Sequence, residues 1–142
     1  MRNAAVNYII ALLLLVVASF EASRFFQQWS YPFTYHWAEA RPARIVVGDQ
    51  LTMVYRFTRH RICQVDLNRF ISTVSDNSVV WRDRVAGGAT STGVHTVINK
   101  ITLPSNIGPG MYTMNTFTHA QCHNGTYAVA APTATFEIVA SQ

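Results

Sequence analysis

The stretch QLTMVYRF, Gln50 to Phe57, decides the fold class. Leu51, Met53, Tyr55 and Phe57 fall on one side of an extended chain, and Thr52, Val54, Arg56 and Thr58 on the other. Successive side chains of a strand point to opposite faces, so this pattern is a β-strand with one apolar face turned to a core. The same texture continues outward in both directions. Upstream, ARIVV is a short strand and Gly48-Asp49 a turn. Downstream, LNRFISTV and SVVWRDRV flank Ser75-Asp76-Asn77-Ser78, a hairpin connection. Gly87-Gly88 to Gly93 is a loop, and VHTVINKITL a strand closed by Pro104. Ile107-Gly108-Pro109-Gly110 is a turn, and MYTMNTFTHAQC the strand after it. Asn124-Gly125 is a strong hairpin signal, and ATFEIVA the last strand. No segment after residue 40 carries a helical period. The expectation is an all-β fold, an antiparallel sandwich of about seven strands over residues 43–142.

The chain has 142 residues, room for one ordinary domain. Only 13% of them are charged, about half the roughly 25% usual in soluble proteins. Part of the apolar excess lies in AAVNYIIALLLLVVASF, Ala4 to Phe20, with Arg2 before it and Glu21 and Arg24 after it. A positive residue ahead of an apolar run holds that end in the cytoplasm and sends the rest across the membrane. As a helix the run spans about 25 Å, a little short of the roughly 30 Å hydrocarbon layer. Snorkelling of Arg2 and the rings of Phe25, Phe26 and Trp29 make up the difference. Residues 1–24 are therefore read as an uncleaved signal-anchor, an N-terminal hydrophobic helix. The alternative is a signal peptide cut after Val16-Val17-Ala18 or Val17-Ala18-Ser19. Either fate puts the remaining chain outside the cytoplasm, periplasmic or extracellular. It is tethered by a single pass in the first case and secreted in the second.

Residues 25–42 form an aromatic juxtamembrane segment that opens FFQQWSYPFTYHW. Phe25, Phe26 and Trp29 suit the headgroup zone. From Trp29 the rings fall on alternate residues, Trp29, Tyr31, Phe33, Tyr35 and Trp37, opposite Ser30, Pro32, Thr34 and His36. That is an extended segment with one aromatic face, confined by Pro32 to a sheet edge. Its rings are expected to cover the core or to lie on a partner, and Trp29 and Trp37 are candidate binding residues.

Leu103-Pro104 is followed by Pro109-Gly110-Met111-Tyr112 at the head of the penultimate strand. On these residues the chain resembles the immunoglobulin-like β-sandwich superfamily over roughly residues 43 to 140. In that superfamily a Tyr at this place folds back to hydrogen-bond the preceding loop, and the resemblance gives Tyr112 that part. Trp81 departs from the pattern, one strand later than the usual core Trp. Anchor plus one small domain also looks like the short membrane-anchored Ig-like proteins of bacterial or phage genomes.

Cys63 and Cys122 are the only cysteines. An even count in an exported chain implies a disulfide. In the immunoglobulin topology the second and penultimate strands run the same way in opposite sheets, which brings both cysteines to one end. The rival is metal: His60 lies three residues before Cys63, and His119, Cys122 and His123 read H-x-x-C-H. With reduced thiolates this set would suit Zn²⁺ or Cu(I), although the spacing is not that of a zinc finger.

Net charge is +4, and ten of the eleven basic residues are Arg. RFTRHR is the most basic patch, and Arg56, Arg59 and Arg61 are candidate anion contacts. In the blander reading Arg56 points outward and the other two solvate a loop. No run of like charge points to nucleic acid. No paired-carboxylate motif, G-x-S-x-G or H-E-x-x-H is present, so no catalytic residue and no cofactor is expected. The expectation is a non-enzymatic extracytoplasmic Ig-like binding or accessory module, tethered by its N-terminal helix and meeting a protein partner. The alternatives are a periplasmic copper- or zinc-handling protein and a phage-encoded envelope- or virion-associated protein.

Overall fold

The computed structural model describes residues 2–87 and 91–141, without the side chains of residues 2–5 and 27–30. The chain divides into two units, residues 1–31 and 32–142. The first holds one helix, α1 (Arg2–Ser30). Within it Val6–Phe26, 21 residues, is long and apolar enough to cross a membrane, and none of it is buried within the chain. At 1.5 Å per residue those residues span roughly 31 Å, which closes the shortfall expected from Ala4–Phe20 alone. A signal sequence meets the same test of length and composition. The helix stops at Ser30, immediately before Tyr31-Pro32, because the ring of a proline disfavours helical backbone in the residue before it.

The second unit is a β-sandwich of nine strands: β1 (Phe33–Arg41), β2 (Arg44–Val46), β3 (Gln50–Arg59), β4 (Gln64–Thr73), β5 (Val79–Gly87), β6 (Gly93–Thr102), β7 (Gly110–Cys122), β8 (Gly125–Ala130) and β9 (Ala134–Val139). One sheet runs β1-β3-β6. The other runs β2-β9-β7-β4-β5, with β8 also on β7. β7 is long enough to serve two neighbours on one edge: Gly110–Met114 pair with β9 and Phe117–Cys122 with β8. All ladders are antiparallel except β2–β9. The expected sandwich and its leading apolar helix are both present. The count exceeds seven because β1 joins as an extra edge strand and because β8, which sequence reading missed, follows the Asn124-Gly125 turn.

The inner faces follow the alternation. Leu51, Met53, Tyr55 and Phe57 are all buried, with Ile71, Met114, Phe136 and Ile138 from the facing sheet. Turn chemistry falls where expected. Gly48 sits at φ +84°, open to glycine without strain, and the Asp49 amide closes that turn on the Val46 carbonyl at 3.0 Å. Asn77 takes φ +58° in the β4–β5 turn. There the Asp76 carboxylate accepts from the Thr73 hydroxyl and from the Ser78 amide at 3.1 Å, contacts that hold its pKa down to about 2. The Tyr112 hydroxyl donates to the Gly108 carbonyl at 2.8 Å, the loop-to-strand tie implied by the Ig-like resemblance.

The aromatic segment needs correction. Trp29 belongs to α1, not to an extended strand, and its side chain lies outside the described residues. β1 begins only at Phe33, and a bulge between Tyr35 and Trp37 breaks the strict alternation. Phe33 and Tyr35 face the core opposite Arg59 and Phe57. Beyond the bulge Trp37 lies opposite Arg56 on the outer face, 36% exposed, while Ala38 and Ala40 take the inward positions. One extra residue in a strand moves every later side chain to the other face. β1 is an edge strand, as expected, although Pro32 precedes it rather than lying within it.

Candidate functional site

RFTRHR does not act as one patch. Arg56 lies on the outer face of β3, exposed. Arg61, half-buried beyond the strand, sets its guanidinium over the Tyr127 ring at 5.1 Å. Arg59 corrects the reading that it solvates a loop. β3 runs on to Arg59 in phase with Tyr55 and Phe57, so this side chain points between the sheets and is 2% exposed. Its Nε donates to the Arg61 carbonyl at 3.1 Å and its Nη2 to the Cys63 carbonyl at 2.7 Å. The guanidinium lies 5.4 Å from the centre of the Phe33 ring. Burial lowers the pKa of this group.

Cys63 and Cys122 form a disulfide with Cα atoms 4.6 Å apart. They lie at the end of the β4–β7 ladder, one step beyond the Gln64–Gln121 pair. The bridge therefore ties neighbouring positions of one sheet at the place where the chain crosses from β3 to β4. With both sulfurs joined to each other, no thiolate is left for a metal. The three histidines also lie apart in role. His60 Nε2 is 2.8 Å from the Thr34 hydroxyl, His119 is exposed opposite Asp66 and Ala128, and His123 is exposed in the β7–β8 turn. Among the described residues no three His, Cys, Asp or Glu side chains are grouped to hold a metal ion. The rival metal set of His60, Cys63, His119, Cys122 and His123 is not grouped among the described residues.

Arg59 instead lines a cleft of about 300 Å³ between the two sheets. Aromatic walls come from Phe33, Tyr35, Tyr55 and Phe57, and aliphatic ones from Val65, Leu67, Val85 and Val97. β5 and β6, the edge strands on this side, supply Val85 and Val97. The size is at the lower end of the roughly 300–1,000 Å³ usual for small-molecule sites. Two side-chain bridges cross the sandwich beside it: the hydroxyls of Tyr35 and Thr118 are 2.5 Å apart, and those of Tyr55 and Thr116 are 2.8 Å apart. Burial raises the pKa of both tyrosines, and these hydrogen bonds only partly offset it. Deeper along β4 a second inward arginine, Arg69, is 7% exposed and is held by both carboxylate oxygens of Asp83, with Trp81 beneath its guanidinium at 5.9 Å. That pair answers the question of Trp81, which packs against a cation from the neighbouring strand.

Sequence reading missed the polar furniture of this cleft. The signal was present: in MYTMNTFTHAQC, Thr116 and Thr118 share the inward phase of Met114 and Ala120. Carrying the QLTMVYRF alternation two residues further would likewise have turned Arg59 inward.

No family model matches the chain, and no curated protein matches it. Among the solved structures similar in fold to this chain are two that match at a TM-score above 0.5. One is the C-terminal domain of wzt, at 12% identity and a TM-score of 0.55 over 78% of this chain and 75% of that one. The other is the Pseudomonas fluorescens alkylpurine DNA glycosylase AlkC bound to DNA containing an abasic site analog, at 13% identity and a TM-score of 0.51 over 75% of this chain. The chain spans about 30% of that glycosylase's length. At such identities the likeness is one of fold.

Proposed function

We propose that this chain is a membrane-tethered binding or accessory module, with its β-sandwich outside the cytoplasm, no chemistry of its own and a protein partner at the membrane's outer face. The observation that carries the reading is α1. A 21-residue apolar segment with no side of it buried in the chain needs another apolar environment, and a bilayer provides one. Arg2 ahead of the run orients it with the sandwich on the far side. The Cys63–Cys122 disulfide agrees with an oxidising compartment. The cleft and the outer faces offer surfaces for recognition, and the cleft is walled mainly by rings and aliphatic side chains.

The test is fractionation with topology. The full chain should stay in the membrane pellet after alkaline carbonate extraction, with residues 1–24 still present by intact mass. Protease added to the outer face should remove the sandwich. A soluble mature chain starting near residue 19 would remove the tether, and a sandwich protected until the membrane is opened would reverse the topology.

A further inference from the structure

The two inward-pointing arginines of the sandwich are treated differently. Arg69 faces a carboxylate, Asp83. Arg59 does not. The chain has seven acidic side chains. Among the described residues Glu39 pairs with Arg41, Glu137 with Arg44, Asp66 with Arg84 and Asp83 with Arg69. Asp76 is occupied by Thr73 and Ser78, and no described carboxylate of the sandwich forms an ion pair with Arg59. Two backbone carbonyls take Nε and Nη2, and Nη1 has no hydrogen-bond partner among the described residues. A buried guanidinium without a counter-ion is costly, and neutral carbonyls offset only part of that cost.

We infer that the inter-sheet cleft receives a small apolar monocarboxylate, its carboxylate on Arg59 and its body between the sheets. The walls select for the body. The Tyr35 and Tyr55 hydroxyls are engaged with Thr118 and Thr116, and Asn99 is the one amide side chain among the lining residues, so a sugar or a peptide would meet few polar partners. What faces the space is largely ring and aliphatic surface, including Phe57, Leu67 and Val97. One guanidinium, with no second cation among the cleft residues, matches a single negative charge. An acyl chain and an aryl-alkyl group both meet this description. The inference deepens the binding-module reading by naming a ligand class, and it does not depend on which side of the membrane the sandwich occupies.

The experiment uses the full chain in zwitterionic nanodiscs, with empty nanodiscs subtracted for partition. Octanoate and phenylpropanoate, labelled at the carboxyl carbon, are titrated by NMR, with octanol as the uncharged control. Saturable binding of either acid is expected, with octanol weaker by about tenfold or more, the worth of one charge-assisted hydrogen bond. The preferred acid tells chain from ring. Arg59→Gln should lose that selectivity, and Arg59→Lys should keep part of it. Val97→Trp, which fills the cleft from the β6 position opposite Tyr55, should abolish binding. The inference is overturned if neither acid saturates, if octanol competes equally, or if Arg59→Gln binds as the wild type does. Should Arg59→Gln fail to fold, Val97→Trp decides, and retained binding there overturns the proposal. None of these outcomes moves the extraction or topology result, so the two readings fail separately.

Discussion

Removing the disulfide should cost this sandwich a large part of its stability. Cys63 and Cys122 are 59 residues apart in sequence and adjacent in space. The segment they close contains β4, β5 and β6 and nearly all of β7. In the chain-entropy description a loop of that length restrains the unfolded state by about 14 cal/mol/K, or about 4 kcal/mol at room temperature. Domains of this size are stable by about 5–15 kcal/mol, so the loss is at least about a quarter of the whole. Cys63→Ala/Cys122→Ala in the full chain, unfolded by urea in a mild detergent and followed by tryptophan fluorescence, should show it. With a slope of about 2 kcal/mol per molar urea, the midpoint should fall by about 2 M. Reduced wild-type protein should match the double variant. A shift under about 0.5 M in both would refute the reasoning, because the bridge would then close a loop that the unfolded chain already keeps closed.

Two further predictions concern charges. Asp83→Ala strands the Arg69 guanidinium, whose side chain is 8% exposed, and should destabilise by about 3 kcal/mol, read as a lower urea midpoint. Arg69→Met/Asp83→Leu should recover most of that loss, since it removes both charges from the interior. Asp76 titrates lower folded than unfolded, so it contributes stability above its ordinary value of 3.8, and that contribution fades as pH falls towards about 2. The Ser78 amide resonance should therefore titrate near 2 in the wild type and not at all in Asp76→Asn, and a midpoint near 4 would contradict the Asp76 hydrogen bonds.

Much of this architecture is legible in the sequence because a half-buried strand writes its phase into every second residue. QLTMVYRF, the Ser75–Ser78 turn and Asn124-Gly125 fall where local chemistry puts them, and the Tyr112 tie falls where the Ig-like resemblance puts it. Failures came where one residue decides a phase. The rings from Trp29 to Trp37 alternate without a break, yet the first belongs to a helix and the last faces outward. A proline sets the helix end, and a bulge at His36 spends one residue without advancing the ladder. Neither event alters composition. The cleft was illegible for a different reason. Thr116, Thr118, Tyr35 and Tyr55 read singly as ordinary strand residues, and only the facing of two sheets joins them into bridges. Arg59 was obscured by its neighbours, because Arg56, His60 and Arg61 made the stretch look like a solvated basic loop.

The most direct test of the proposed export of the sandwich is the thiol state in living cells. Cells making the full chain are quenched in acid, and the denatured protein is exposed to a mass-tagged maleimide with and without prior reduction. The account predicts no added tag before reduction and two after it. It also predicts two tags without reduction when residues 2–30 are deleted and the chain stays inside. Two tags on the unreduced full chain would contradict it, placing the sandwich in a reducing compartment with Cys63 and Cys122 apart.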